Sequence, residues 1–280
     1  MAFEKAGDIL RDAQKKGVGV PAFNVSDCQM IKLAIYQAEV MQSPILIACY
    51  PGFKDILSID MIAEITKLYA KKVKVPIGVH LDHSTDYAEI MQAMRAGYDS
   101  VMYDGSALPF EENVKNTAEV VKVAKTLGID VEAELGHVGS AENASDFTDT
   151  SHFTQVDMAV QFMERTGCNY LAVAVGNAHG NYVQEPRLDL DRIRDISHAL
   201  KAPLVLHGGS GIPDEQTQEA IRRGIVKINV GTEYFNTYYK ACETHTMSGK
   251  SGPDMIAASE VMKKEVMSYL EGKIRLFLAR

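Results

Sequence analysis

Eight short apolar runs alternate with eight segments carrying apolar residues at helical spacing, and this alternation constrains the fold more than any other feature of the chain. The runs are Val18–Val25, Ile45–Cys49, Val75–Leu81, Ser100–Tyr103, Ile129–Glu134, Tyr170–Val175, Pro203–Leu206 and Val226–Val230. They are nearly continuous in apolar character, as strands buried on both faces must be. The segments between them are Cys28–Met41, Asp60–Lys71, Tyr87–Ala96, Glu111–Leu127, Gln155–Thr166, Leu190–Leu200, Glu215–Arg223 and Glu233–Glu243. Parallel strands need crossover helices, so this pattern predicts an α/β parallel sheet. Eight repeats in about 250 residues is the size of a (β/α)₈ TIM barrel. An open doubly wound sheet is the competing arrangement. A helix over residues 3–16 precedes the first strand, and Met255–Leu278 carries a further helical pattern placed on the barrel or a neighbouring subunit. No Pro- or Ser-rich linker divides the chain, so residues 1–280 are read as a single domain.

With 29 basic against 37 acidic residues, the net charge of −8 argues against nucleic acid or an anionic membrane as partner. The amino-terminal residues show no signal-peptide pattern, and no apolar stretch approaches membrane-spanning length. Cys28, Cys49, Cys168 and Cys242 form no CxxC pair, which fits reduced thiols in a cytoplasmic protein.

In a parallel barrel, function gathers where strands end. Three of these runs lead there into histidine: Val75–Val79 into His80-Leu81-Asp82-His83, Leu171–Val175 into Gly176-Asn177-Ala178-His179-Gly180, and Pro203–Leu206 into His207-Gly208-Gly209-Ser210-Gly211. One such histidine is more often structural than a ligand. Three imidazoles on three ends can converge on one cation and leave a position open for substrate, as catalytic zinc requires. His83, His179 and His207 are therefore the candidate ligands, with His80 supporting them from behind. Glu134, ending the fifth strand, either supplies an oxygen at an alternative metal position or holds a ligand histidine. His137 is a substrate contact or a plain loop residue, whereas His152, His198 and His245 read as ordinary surface residues.

The glycines after His207 let backbone N–H groups turn toward an anion, with the Ser210 hydroxyl beside them. The following strand runs Lys227-Ile228-Asn229-Val230-Gly231-Thr232 straight into a helix. The last two strand ends of such a barrel are the usual phosphate position, so a phosphorylated substrate is expected. A long polar connection, Leu135 to His152, leaves the fifth strand and reads as a mobile flap over the site.

Taken in order, His80-Leu81-Asp82-His83, Glu132-Ala133-Glu134-Leu135-Gly136, Gly176–Gly180, His207–Gly211 and Asn229–Thr232 resemble the class II, zinc-dependent fructose/tagatose-bisphosphate aldolase family. The resemblance extends from Pro21-Ala22-Phe23-Asn24 to the helix after Thr232. It implies reversible retro-aldol cleavage of a phosphorylated ketose to dihydroxyacetone phosphate and an aldehyde, with one Zn²⁺ per subunit held by His83, His179 and His207. Cleavage of the C3–C4 bond leaves an enediolate, whose charge a Lewis acid at the C2 and C3 oxygens stabilises. Asp82 matches the general acid/base of the family, Glu142 the flap carboxylate that exchanges the triose C3 proton, and Asn229 an amide near the reacting carbons. Without the resemblance, Glu142 reads as a solvated loop acid; the alternative role for Asp82 is to orient a ligand histidine. Asn24, Gly180, Gly208, Gly209, Ser210, Asn229, Gly231 and Thr232 match positions that bind substrate, chiefly its C1 phosphate. A monovalent cation beside that phosphate and a homodimeric or homotetrameric assembly are further family features.

The departures from the family pattern concern the substrate. The flap reads Gly139-Ser140-Ala141-Glu142-Asn143 where the family commonly has two glycines and a Glu-Asp pair. Tyr50 stands where many members carry Ser or Thr, and no arginine occurs around Ile256-Ala257-Ala258, where bisphosphate-cleaving members place one. Gly231 replaces an Asp usual in the fructose branch. The substrate expected is therefore tagatose-bisphosphate-like or a ketose monophosphate rather than fructose 1,6-bisphosphate. Three rival readings are a Schiff-base aldolase using Lys227, a zinc hydrolase acting on a sugar phosphate, and a non-catalytic sugar-phosphate-binding barrel.

Overall fold

A computed structural model describes residues 2–246 and 255–278. Among these, eight parallel strands close into a barrel in sequence order: β1 Val20–Asn24, β2 Ile45–Cys49, β3 Ile77–Ser84, β4 Ser100–Tyr103, β5 Asp130–Leu135, β6 Tyr170–Val173, β7 Leu204–Leu206 and β8 Ile225–Val230. The helices are α1 Ala6–Lys16, α2 Cys28–Met41, α3 Ile59–Ala70, α4 Tyr87–Ala96, α5 Phe110–Leu127, α6 Ser145–Thr148, α7 Val156–Thr166, α8 Leu190–Leu200, α9 Asp214–Arg222, α10 Thr232–Thr246 and α11 Met255–Phe277. The doubly wound alternative is excluded because β1 pairs with both β2 and β8. No helix of the described residues is long and apolar enough to cross a membrane.

Strand alternation divides the core into two layers. Phe23, Ile47, Val79, Leu81, Val101, Ala133, Leu171, Leu206 and Val230 face the surrounding helices. Val20, Ala22, Leu46, Ala48, Ala172 and Val205 fill the barrel from within, joined by Ile9, Leu10 and Ala13 of α1. Helix α1 therefore plugs the amino-terminal mouth. Its first N–H groups, from Ala6 and Gly7, donate to Asp99 at 2.7 Å and Asp130 at 3.0 Å, acids at the end of the helix that favours negative charge. Higher inside the barrel the filling turns polar, and Glu132 and Lys227 are fully buried there.

Helix α11 packs chiefly against α10 and α2, burying Val266, Leu270, Ile274 and Phe277 at helical spacing. The side chains of His245, Ala257 and Ala258 lie outside the described residues, so the register around Ile256 has no structural account. The flap is more ordered than a bare polar loop. It holds α6 and a 3₁₀ turn at Thr150–His152, and Phe147 and Ala141 pack on Ala178. Backbone bonds tie it down, Ala141 N–H to the His179 carbonyl at 2.8 Å and His179 N–H to the Gly139 carbonyl at 2.9 Å.

Candidate active site

The sequence pattern ends the third strand at Leu81, whereas β3 runs on to Ser84 and carries Asp82 and His83 within it. Alternation sends His80 and Asp82 inward and would send His83 out toward the helices. Instead the register against β4 shifts between Leu81 and Ser84, and His83 adopts φ +48°. This bulge turns its ring back into the barrel mouth, a re-aiming that bulges beside active sites commonly perform. His179 follows β6 on a turn closed by the Asn177 side chain, whose Nδ2 donates to the His207 carbonyl at 3.0 Å. His207 directly follows β7.

The three imidazoles meet. His83 Nε2 lies 3.0 Å from His179 Nε2 and 2.6 Å from His207 Nδ1. The opposite ring nitrogens of two are occupied: His83 Nδ1 by Asp104 at 2.8 Å and His207 Nε2 by Glu132 at 2.8 Å. With N–H groups on those carboxylates, the lone pairs of the facing nitrogens point at one another. Either a proton shared from His83 Nε2 or one cation fills the space between them, and three imidazole nitrogens converging on one point are a donor set that fits a divalent metal. Charge agrees with that fit. Burial lowers the proton affinity of all three rings. At His83 the carboxylates of Asp82, Asp104 and Glu134 outweigh it and raise the pKa to about 9. Burial and the neighbouring His83 pull His179 down to about 3, and His207 moves in the same direction. His179 and His207 are thus held neutral, as imidazole ligands must be, and His83 is the ring from which a metal would displace a proton.

Glu134 sits beside this cluster, with Oε2 3.6 Å from His207 Nδ1 and no hydrogen-bond partner. Burial, with Asp104 nearby, pushes its pKa up to about 8. Its other oxygen accepts the Val138 N–H at 3.2 Å. Glu134, His83 and Asp104 can converge on a second cation position.

Asp82 is held from both sides. Asn24 donates to Oδ2 at 2.7 Å and Asn229 to Oδ1 at 2.8 Å. Burial would raise its pKa, but His83, His207 and Lys227 together hold it well below the usual carboxylate range. The buried Oδ1 of Asn229 has no partner.

Asn24, Asp82, His83, Asp104, His179 and Asn229 open into a cavity of about 540 Å³ lined also by Gly180, Gly208, Ser210, Gly231 and Thr232 and by Tyr50, Phe53 and Phe235. Phe53 stacks edge-on against both Tyr50 and Phe235, with centroids 5.5 and 5.1 Å apart. His137 lines the same space. Gly209 and Glu142 do not. The Gly209 N–H is committed to the Asn229 carbonyl at 3.0 Å, and an added Cβ would strike Ile228, so this glycine serves close packing. Glu142 is exposed on the flap, its N–H on the Ser140 hydroxyl at 3.3 Å.

His80 does not touch the three ligand candidates; it bonds Ser100 at 2.7 Å and approaches Glu132 at 3.5 Å. Lys227 points inward, as its parity with Asn229 predicts, but it lies below the cavity and pairs with Glu132 at 2.8 Å. A Schiff-base lysine must reach substrate, and this one does not line the cavity. Sequence reasoning passed over Asp104 and Glu132 as partners of the ligand histidines. Asp104 stands directly after β4, an acid at a strand end, and Glu132 shares its strand face with Glu134.

The family model for class II fructose-bisphosphate aldolase matches residues 4–279. A sulfofructosephosphate aldolase of Alkalicoccus urumqiensis is 36% identical over 278 residues, covering 99% of this chain and 97% of that protein. The Escherichia coli K12 protein YdjI is 38% identical over 268 residues, covering 95% and 94% of the two chains. The crystal structure of the YdjI aldolase superposes with a TM-score of 0.87 at 35% identity, covering 99% of this chain and 97% of that one. By sequence and fold, this chain belongs to the class II fructose-bisphosphate aldolase family.

Proposed function

We propose that the chain is a zinc-dependent ketose-phosphate aldolase that reversibly cleaves a phosphorylated ketose to dihydroxyacetone phosphate and an aldehyde. The observation that carries this reading is the convergence of three imidazoles, two of which, His83 and His179, line one cavity together with the Asp82 carboxylate. A bound divalent cation, held by His83, His179 and His207, supplies Lewis-acid polarisation of the ketose carbonyl. Asp82 takes the C4 hydroxyl proton in cleavage and returns it to the aldehyde oxygen in condensation. His83, His207 and Lys227 keep its carboxylate ionised, and one amide on each oxygen fixes its direction. The free Asn229 Oδ1 accepts a substrate hydroxyl. Backbone around Gly180, Gly208, Ser210, Gly231 and Thr232 takes the C1 phosphate. Glu142 exchanges the C3 proton of the triose when the flap brings it inward.

The aldehyde half then lies against Tyr50, Phe53 and Phe235, and no lysine or arginine is among the described residues lining the cavity, which supports a ketose monophosphate. The tagatose-bisphosphate-like alternative rests on Gly231, where the fructose branch has Asp. A panel of ketose mono- and bisphosphates, with sulfofructose phosphate included because one relative is named for it, tests the reading through dihydroxyacetone phosphate release. Chelator should abolish release and zinc should restore it. Release of inorganic phosphate in place of a triose overturns the reading, as does chelator-resistant cleavage with borohydride trapping on lysine.

A further inference from the structure

Beneath the cavity lies a charge that the chemistry above does not use. Lys227 projects inward from β8 and is fully buried. Its Nζ stands 2.8 and 3.1 Å from the two oxygens of Glu132, itself fully buried on β5. Glu132 Oε1 in turn accepts the Nε2–H of His207 at 2.8 Å, and the Nδ1 of that ring faces His83. A buried ion pair is weak evidence for stability, because well-packed apolar residues of similar volume often do as well or better. Stability therefore leaves the pair unexplained, while its continuity with His207 explains it. The other polar neighbour of the carboxylate, His80 Nε2, stands back at 3.5 Å. Lys227 is the close restraint opposite His207.

We propose that Lys227 is a positioning residue for the metal centre, gripping both oxygens of Glu132 so that this carboxylate holds His207 with Nδ1 turned to the cation. The inference rests on the metal-dependent reading above. Outer partners of ligand histidines typically contribute 10–100-fold in metal affinity. The chain Lys227–Glu132–His207 places such a contribution one residue further from the metal than the carboxylate.

The test compares zinc affinity, measured by competition with a chromophoric chelator, and apo melting temperature in the full chain. Lys227→Met should lose about 10–100-fold in zinc affinity. Lys227→Met/Glu132→Gln should recover most of it, because a neutral amide needs no counter-charge and its carbonyl still accepts the His207 N–H. Should Lys227→Met not fold, Lys227→Gln takes its place and must also lose affinity several-fold. A folded Lys227 variant with zinc affinity within twofold of the wild type overturns the proposal, even if its melting temperature falls. A wild-type chain that binds no zinc overturns the metal-dependent reading itself, and this inference with it.

Discussion

Asp82 and His83 are neighbours in the chain, yet both side chains face the same cavity, because the backbone of His83 is bulged into the left-handed region at φ +48°. A regular strand would offer one of them to the site and the other to the helices. The bulge lets a base and a metal ligand come from consecutive residues. It also sets His83 Nδ1 on Asp104, which follows the neighbouring strand β4.

The two neighbours should separate cleanly on substitution. His83→Ala removes one of three ligands and is expected to lose both zinc and activity. Asp82→Ala should keep zinc and lose turnover by about 10²–10⁴-fold, the usual contribution of a general acid/base. Metal content by atomic absorption beside kcat for cleavage decides the matter. Full activity in either variant contradicts the assignment.

Asn229 contributes at two atoms, and a conservative replacement distinguishes them. Asn229→Asp replaces the amide donor to Asp82 with a second carboxylate beside the first. Two close carboxylates resist joint ionisation, so the pKa of Asp82 must rise. The acid limb of the kcat profile should therefore move to higher pH, with zinc content unchanged. Asn229→Ala removes both donor and acceptor without adding charge. It should lower kcat/KM while leaving the acid limb closer to that of the wild type.

The barrel was legible from the sequence because buried parallel strands write themselves as apolar runs, and six of the eight predicted runs end within one residue of the observed strand. The three histidines were legible for the same reason, each standing just beyond or at the end of such a run. The bulge was not, since φ at His83 is set by pairing with β4 and leaves no mark in composition. Asp104 and Glu132 were missed because their roles depend on which strands the closed barrel brings close together, 21 and 75 positions from their histidines in sequence. Gly209 shows the opposite error: its glycine signature is that of an anion loop, but its N–H is already bonded and the absent Cβ makes room for Ile228.

Gly208 and Gly231 both line the cavity and should respond differently to a methyl group. Gly208 sits at φ +62°, and an alanine Cβ there would overlap the Ala178 carbonyl, backbone that precedes His179. Gly208→Ala should lower the melting temperature and raise KM for dihydroxyacetone phosphate in the condensation direction. Gly231 has no positive φ, and its nearest neighbour to a new Cβ is Phe235 at an ordinary 3.4 Å. Gly231→Ala should leave the melting temperature unchanged, so any loss in KM reports contact with substrate alone. Equal destabilisation by both would contradict the local geometry.

Removing the metal should make stability depend on pH in a definite direction. Burial and Asp104 raise Glu134 from its ordinary 4.5 to about 8. At His83 burial acts downward, but Asp82, Asp104 and Glu134 win and raise it from 6.5 to about 9. Both folded-state values lie above the unfolded ones, so the folded apo protein binds the extra protons. The associated stability is fully present below the unfolded values and is lost as pH rises through about 8 and then about 9. Asp99, raised to about 7 by burial at the far end of the barrel, adds a loss of the same sign whether or not metal is bound. The difference between apo and zinc-loaded protein therefore isolates the site. Apo melting temperature should fall between pH 7 and 9.5 more steeply than that of the loaded protein, in which the cation replaces the proton. Zinc titration near pH 7.5 should release protons, seen as binding heats that vary with the ionisation enthalpy of the buffer. Glu134→Gln should flatten the earlier part of the apo decline, because it removes the group that titrates first at the site. Parallel apo and loaded curves with buffer-independent heats would show that these carboxylates and imidazoles do not share their charge with the metal.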